Sequence, residues 1–414
     1  MIARREFLSL STKGSLLLSL APGVPWLLLR STARGAEARR RDRVLVVLQL
    51  SGGNDGLNSV VPFQDDAYAR LRPTLRLKPG ELHKLNPELG LHPRMSGFYR
   101  LFQEGRLAVV QGVGCPDQNR DHERAMRAWQ TAVPEPDGID TGWLGRATDH
   151  LWKTSQPAPA GVYVGSITQP LAINAAKAIV PSIRGGREAL LFGAGADASR
   201  GVAGEGSATL AKSEGSSLLR HIKLTMEQGR NANSRLEALS ESVSARANYP
   251  EFGLAQDLRT IANLIRAEVG IRIFYVELGG GGIGGFDNHA NQIGNHCALL
   301  EQLSESVVAF AADLSRDRLF DRVLLMTFSE FGRTAAENGR RGTDHGVAGP
   351  VFLAGGSLRG GIHGAHPSLT DLDAGALKHH TDFRSVYATL LQDWLQIPPE
   401  PILGSRFPRL QLVS

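Results

Sequence analysis

Acid and imidazole side chains recur in this sequence in glycine-containing stretches that flank apolar runs. Asp55 stands in Ser51-Gly52-Gly53-Asn54-Asp55-Gly56, directly after the run Val44–Leu50 (VLVVLQL). Gly285-Phe286-Asp287-Asn288-His289 comes shortly after Ile271–Leu278 (IRIFYVEL). Ser329-Glu330-Phe331-Gly332-Arg333-Thr334 follows Val323–Phe328, and Gly342-Thr343-Asp344-His345-Gly346 precedes Pro350–Ala354. Asp, Glu and His are hard-to-borderline metal ligands, and a mixed carboxylate–imidazole set suits Zn or Mn better than Ca. Asp287 and His289 are two positions apart, so an extended segment points both to the same side. Arg333 offers a guanidinium fork for a planar or tetrahedral anion. Together, a divalent metal and an arginine can bind a phosphate or sulfate ester and stabilise charge on its departing oxygen. The candidate metal ligands are therefore Asp55, Asp287, His289, Glu330, Asp344 and His345, with Arg333 facing the anion.

Each member has a plainer reading when taken alone. Asp55 fits an ordinary turn, Glu330 fits an ion pair with Arg333, and Asp344 with its glycines fits turn chemistry. Recurrence at four successive strand edges is what favours a shared metal or anion site. Two other motifs carry less. The glycine-rich stretch Gly279–Gly285 resembles a phosphate cradle, but no Gly-Lys-Ser/Thr follows it, and it does not lead into a helix with G-x-G-x-x-G spacing. It reads as a loop through which backbone approaches the site. No Gly-x-Ser-x-Gly elbow follows a strand, which argues against a serine esterase.

The elements that must position these groups are legible as apolar patterns. Val44–Leu50, Leu107–Val113, Ile271–Leu278, Val323–Phe328 and Pro350–Ala354 read as strands, the first with the continuous apolar character of a buried parallel strand. Helical spacing covers Met95–Glu104, Asp121–Ala132, much of Ser207–Val269, His296–Leu314 and Asp382–Leu395. Strands alternating with helices predict an α/β fold with a doubly wound, mostly parallel sheet flanked by helices. In such sheets ligands gather beyond the carboxyl ends of the strands, the edge at which these acid and imidazole groups fall. No repeat and no linker divides the chain, so residues 39–414 are expected to form one domain.

Residues 1–38 read as a twin-arginine signal peptide. Arg4-Arg5 precede Glu6-Phe7-Leu8, the apolar stretch Gly14–Leu29 is broken by Pro22, Gly23 and Pro25, and Ala36-Glu37-Ala38 supplies a small-x-small cleavage site. The stretch is too short and too interrupted for a membrane span, and none is expected after cleavage. The twin-arginine translocase is the implied export partner, and the periplasm or the extracellular space the destination. Residues 1–38 supply a net three of the chain's five positive charges. The nearly neutral remainder gives no support to nucleic-acid binding. Cys115 and Cys297, the only cysteines, exclude a disulfide scaffold or a four-cysteine metal site and leave open one bridge or two thiols.

The motifs Phe286-Asp287-x-His289, Ser329-Glu330-Phe331-Gly332-Arg333-Thr334 and Gly342-Thr343-Asp344-His345-Gly346, in this order, resemble the exported-protein family catalogued as domain of unknown function 1501. Leu50–Asn58, Ala128–Ala132 and Asp382–Leu391 support the resemblance. The family is related to the alkaline phosphatase and sulfatase superfamily. The resemblance implies an alkaline-phosphatase-like fold and a divalent metal, with Asp55 as first-strand metal aspartate, Asp287 and His289 as a later pair, and His345 as late metal histidine. Two departures stand out. Phe331 follows Glu330 where an Asp-His pair is common, and Asp121-His122 occupies the helix start where the superfamily carries Ser, Thr or a modified Cys. There Asp121 either caps the helix or binds metal, with His122 as general acid or base. The leading expectation is an exported metal-dependent hydrolase of small-molecule or polymer-linked phosphate or sulfate esters. The alternatives are a metal- or anion-binding protein on a hydrolase-like scaffold and a structural factor of the cell envelope.

Overall fold

The computed structural model describes residues 42–135, 137–152, 159–165, 168–183, 247–279 and 285–413. The expected signal peptide and cleavage site, residues 280–284 of the glycine-rich stretch and most of the polar stretch from Ser207 lie outside the described residues.

Runs of β-branched and aliphatic residues form the strands. In chain order these are β1 (Val44–Leu50), β2 (Leu107–Gly114), β3 (Gly161–Val164), β4 (Ser182–Ile183), β5 (Ile273–Leu278), β6 (Val323–Phe328), β7 (Gly349–Gly355), β8 (Gly361–His363) and β9 (Thr381–Asp382). The order across the sheet is β8-β2-β7-β6-β1-β5-β3-β4, with β9 beside β2. β1 lies at the centre and runs parallel to β5 and β6, which puts all three carboxyl ends on one edge. β7 runs antiparallel to both β2 and β6. The cause lies in the connection. Residues 329–348 leave β6 at the carboxyl edge and return to the sheet without a crossover helix, so β7 has to run the other way. Its amino end, preceded by Asp344 and His345, therefore shares the edge with the carboxyl ends of its neighbours.

Because β1 alternates between two covered faces, every one of its residues is buried. Val46, Leu48, Val323, Leu325, Phe274 and Val276 pack with Phe98, Leu258, Ile261 and Leu303. These last four belong to α1 (Ser96–Gln103), α4 (Gly253–Arg266) and α5 (Gln292–Arg316). On the other face Leu45, Val47, Leu324, Met326 and Tyr275 pack with Trp129, Trp143 and Tyr387, from α2 (His122–Thr131), α3 (Trp143–Leu151) and α6 (Phe383–Thr389). The doubly wound, mostly parallel sheet is the architecture the apolar pattern predicts.

Two helices differ from the sequence reading in an instructive way. α5 starts four residues before the expected His296, because the N–H groups of Asn291 and Gln292 donate to the carbonyls of Arg340 (3.0 Å) and Arg341 (2.9 Å). A distant loop thus satisfies donors that a helix start leaves unpaired. After α6 the expected helix continues to Leu395 as a π-helical segment, Leu390–Leu395. Cys115 and Cys297 are free thiols. Among the described residues no helix is long and apolar enough to cross a membrane.

Leu325 sits fully buried in central strand β6, so Leu325→Ala is expected to cost about 2–5 kcal/mol, including the cavity it leaves. Urea unfolding monitored by circular dichroism measures this.

Candidate metal centre

β1 ends in a turn, Ser51-Gly52-Gly53, against which the returning chain docks: Phe286 N–H donates to Ser51 O at 2.8 Å. Gly52 has φ +110°, and a Cβ there would lie 2.5 Å from the backbone N of Asp287. Only glycine permits this approach. Arg333 enters beneath the same turn with its side chain fully buried. Its Nε donates to Gly53 O (2.7 Å) and Nη1 to Thr343 O (2.9 Å). Nη2 donates to Gly52 O, to Phe286 O (3.1 Å) and to Asp287 Oδ1 (2.6 Å). Three histidines then close on that carboxylate. His122 is the first residue of α2, His289 stands two positions after Asp287, and His345 pairs through its backbone with Arg333.

The geometry is convergent. The Nε2 atoms of His122, His289 and His345 lie 3.4, 3.0 and 3.3 Å from Asp287 Oδ1. Each ring is fixed from behind through Nδ1. His122 Nδ1 bonds Glu330 Oε1 (2.8 Å), His289 Nδ1 bonds Asp344 Oδ1 (3.1 Å) and His345 Nδ1 bonds Arg120 O (2.7 Å). Carboxylate and carbonyl oxygens only accept, so each Nδ1 carries the proton and each Nε2 of a neutral ring presents a lone pair to the centre.

Local charges follow from the same contacts. Burial pushes Asp287 up, but the Arg333 hydrogen bond and charge outweigh it and hold the carboxyl below its usual range. The bond to Glu330 raises His122, whereas burial lowers His345. The Asn338 amide, followed by His289, holds Asp344 low. Asn338 also donates to His289 O (3.1 Å), and a Cβ on Gly342 would meet His289 C at 2.2 Å, so the 338–344 turn lies tightly against His289.

Five of the residues singled out in the sequence have other partners. Asp55, 2% exposed, places both oxygens on Arg72 (2.6 and 3.0 Å) and takes a further bond from Gln292. Burial alone would raise its pKa, yet Arg72 holds it at about 2. Arg333 faces four backbone carbonyls and Asp287 instead of an incoming anion, a correction with a plain cause: a buried guanidinium must spend its donors on the protein. Asp121 caps α2 by accepting from Arg124 N–H at 3.1 Å. Glu330 and Asp344 lie behind His122 and His289, not among the converging Nε2 atoms. Arg72 and Gln292 were not legible as site residues. Nothing in the spacing of Arg72 ties it to Asp55, and Gln292 falls before the helix expected from His296.

A family model described as a protein of unknown function, DUF1501, matches residues 42–396. The chain belongs to this family. No curated protein is a match for it. Among solved structures, this DUF1501 chain is similar to the lipoteichoic acid synthase LtaP from Listeria monocytogenes, at 9% identity over 88% of this chain and 78% of that one, with TM-score 0.39. It is also similar to the C-terminal periplasmic domain of EcEptC from Escherichia coli in complex with Zn, at 8% identity over 76% and 73%, TM-score 0.37. A third is the alkaline phosphatase from the Antarctic bacterium TAB5, at 12% identity over 78% and 94%, TM-score 0.36. Likenesses this distant transfer no residue roles.

The donor set of the DUF1501 chain nonetheless fits a divalent cation on its own terms. The donor atoms of His122, Asp287 and His345 all lie within 4.8 Å of one another. His122 Nε2 is buried and has no hydrogen-bond partner. His289 Nε2 and His345 Nε2 face each other at 2.9 Å, where two lone pairs repel unless a proton or cation lies between them. Histidines whose second nitrogen is anchored to an oxygen are the usual form of metal ligand.

Replacing Arg72, which is fully buried, strands the Asp55 charge, so Arg72→Met is expected to destabilise the fold by about 3–5 kcal/mol in urea titrations. The acid limb of stability is the second expectation. Asp55 has a folded pKa of about 2 against an ordinary 3.8, so its contribution is complete above the ordinary value and fades as pH falls through the folded one. That contribution is about 2 kcal/mol. Unfolding curves across this acid range are expected to show the loss in the wild type and a flatter dependence in Asp55→Asn.

Proposed function

We propose that the protein is an exported, metal-dependent hydrolase of phosphate or sulfate esters. The observation that carries this reading is the meeting of His122, His289 and His345 Nε2 atoms at Asp287 Oδ1, each ring anchored through Nδ1. His122, His345 and Asp287 would hold the ion, and imidazole with carboxylate suits Zn or Mn. A cation held there supplies Lewis acidity toward an ester or water oxygen.

The chain's own residues do the rest. Arg333 keeps Asp287 anionic and aimed at the centre. His289, with Asp344 behind it, takes a proton from the attacking water or returns one to the leaving oxygen, the work of a general acid–base pair. Ser329 donates inward to Leu50 O at 2.7 Å and Asp121 caps α2, so neither is the nucleophile and water attacks directly. Arg340, exposed in the turn whose carbonyls cap α5 and near enough to act on the Asp344 carboxylate, supplies positive charge for an anionic ester. Export by the twin-arginine translocase, to the periplasm or beyond, rests on Arg4-Arg5 and the apolar stretch that follows.

A second reading is supported by the fourth donor. If His289 joins His122, His345 and Asp287 on the ion, the site is closed, as in structural zinc centres, and the protein binds without turnover. One variant separates the two. Under the hydrolase reading the Zn- or Mn-loaded wild type turns over members of an aryl phosphate and aryl sulfate panel. His289→Asn then retains its metal by elemental analysis while kcat falls by about 10²–10⁴-fold. A wild type inert on both panels, together with a His289→Asn variant that releases its metal, establishes the binding protein instead.

A further inference from the structure

Glu330 is a buried carboxylate, 2% exposed, whose hydrogen bonds all run to groups within the protein. Oε1 accepts from Gly52 N–H (2.8 Å) and from His122 Nδ1 (2.8 Å), and Oε2 lies 3.2 Å from the Ser329 hydroxyl, whose proton goes to the nearer Leu50 O at 2.7 Å. Its backbone carbonyl takes the amide of Gln118 at 2.5 Å. Residue 330 therefore holds the approach to α2 at two points, Gln118 and His122, and ties both to the Gly52 turn beneath Asp287. The two nitrogens of an imidazole direct their lone pairs widely apart. A carboxylate bonded to His122 Nδ1 thus lies on the opposite side of the ring from anything bound to Nε2, and Nε2 is the atom that faces Asp287 Oδ1.

We propose that Glu330 is a positioning residue that acts through His122, fixing the ring as the Nδ1–H tautomer so that Nε2 is free to take the cation. This deepens the metal reading above and rests on it. The other two rings are held differently: His345 by the Arg120 carbonyl, and His289 by Asp344, which is exposed. His122 alone among the three is anchored by a buried carboxylate. Its ring is further confined between Phe331 and His345, with centroids 4.9 and 4.3 Å away. Once its tautomer is fixed, the ring has little freedom to turn Nε2 elsewhere. The role also accounts for Glu330 occurring in sequence where a ligand is expected. It serves the site from one bond further out.

The test uses the full chain, with Zn as probe and Glu330→Gln as variant. Competition with a chromogenic chelator is expected to show Zn affinity reduced about 10–100-fold, the range for losing the group behind a ligating histidine. Nitrogen-15 spectra of the metal-free wild type, at mildly alkaline pH where imidazoles are neutral, are expected to show His122 as the Nδ1–H tautomer. In Glu330→Gln they are expected to show a mixture. A purely structural carboxylate would leave the tautomer unchanged. Equal Zn affinity and equal tautomer populations in the two proteins overturn the proposal and leave the metal reading standing. So does loss of one of the atoms bonded to the metal by X-ray absorption with affinity down more than about a thousand-fold, which would make Glu330 itself a ligand. Should the variant fail to fold, the wild-type spectrum decides alone, since an Nε2–H tautomer at His122 contradicts the proposal. A wild type that binds no Zn instead removes the metal reading, and the tautomer spectrum still reports on Glu330.

Discussion

The buried guanidinium of Arg333 is the contact on which the rest of the site depends. A charged group taken out of water has to find acceptors within the protein or destabilise the fold by several kcal/mol. Arg333 finds them in the carbonyls of Gly52, Gly53, Phe286 and Thr343 and in Asp287 Oδ1. Those acceptors come from the turn after β1, the segment after β5 and the loop before β7. Meeting one side chain's donors therefore draws three distant pieces of chain to a single point. The carboxylate held there becomes the focus for three imidazoles. Arg72 acts likewise one level below, joining Asp55 to the carbonyls of Thr334 and Ala335. Gln292 then links Asp55 to Thr343, so the two arginine networks meet through one glutamine.

This arrangement explains which parts of the molecule the sequence reveals. β1, β2, β5 and β6 were legible because burial on both faces demands continuous apolar runs, and their order along the chain fixes which edge carries the polar groups. Asp287, His289 and His345 were legible as a set for the same reason. His122 was visible as a residue of the site, though its place beside the other two imidazoles depends on how α2 docks. The antiparallel course of β7 needed the absence of a crossover helix to be given its full weight. The partners of Asp55 and Arg333 were not legible. A backbone carbonyl has no sequence identity, so an arginine satisfied by four of them looks the same in sequence as one awaiting a substrate anion. Distinguishing a ligand from the group behind it also depends on a single hydrogen bond, which is why Glu330 and Asp344 read as ligands.

Function turns on how the fourth donor is used. Three anchored imidazoles and a carboxylate are enough to close a tetrahedral site, and a closed site does not turn over. Under the hydrolase reading proposed above, His289 with Asp344 behind it is kept for proton transfer and stays off the ion. No hydroxyl nucleophile is needed for such chemistry, consistent with Asp121 capping a helix and Ser329 pointing inward.

The central claim is that a divalent cation binds among His122, Asp287 and His345. Anomalous diffraction at the zinc edge, from crystals of the Zn-loaded full chain, tests it most directly. The account predicts a single strong peak about 2.0–2.2 Å from the Nε2 atoms of His122 and His345 and from an Asp287 carboxylate oxygen. A peak at Asp55 instead, or no peak within bonding distance of these three side chains, would contradict it.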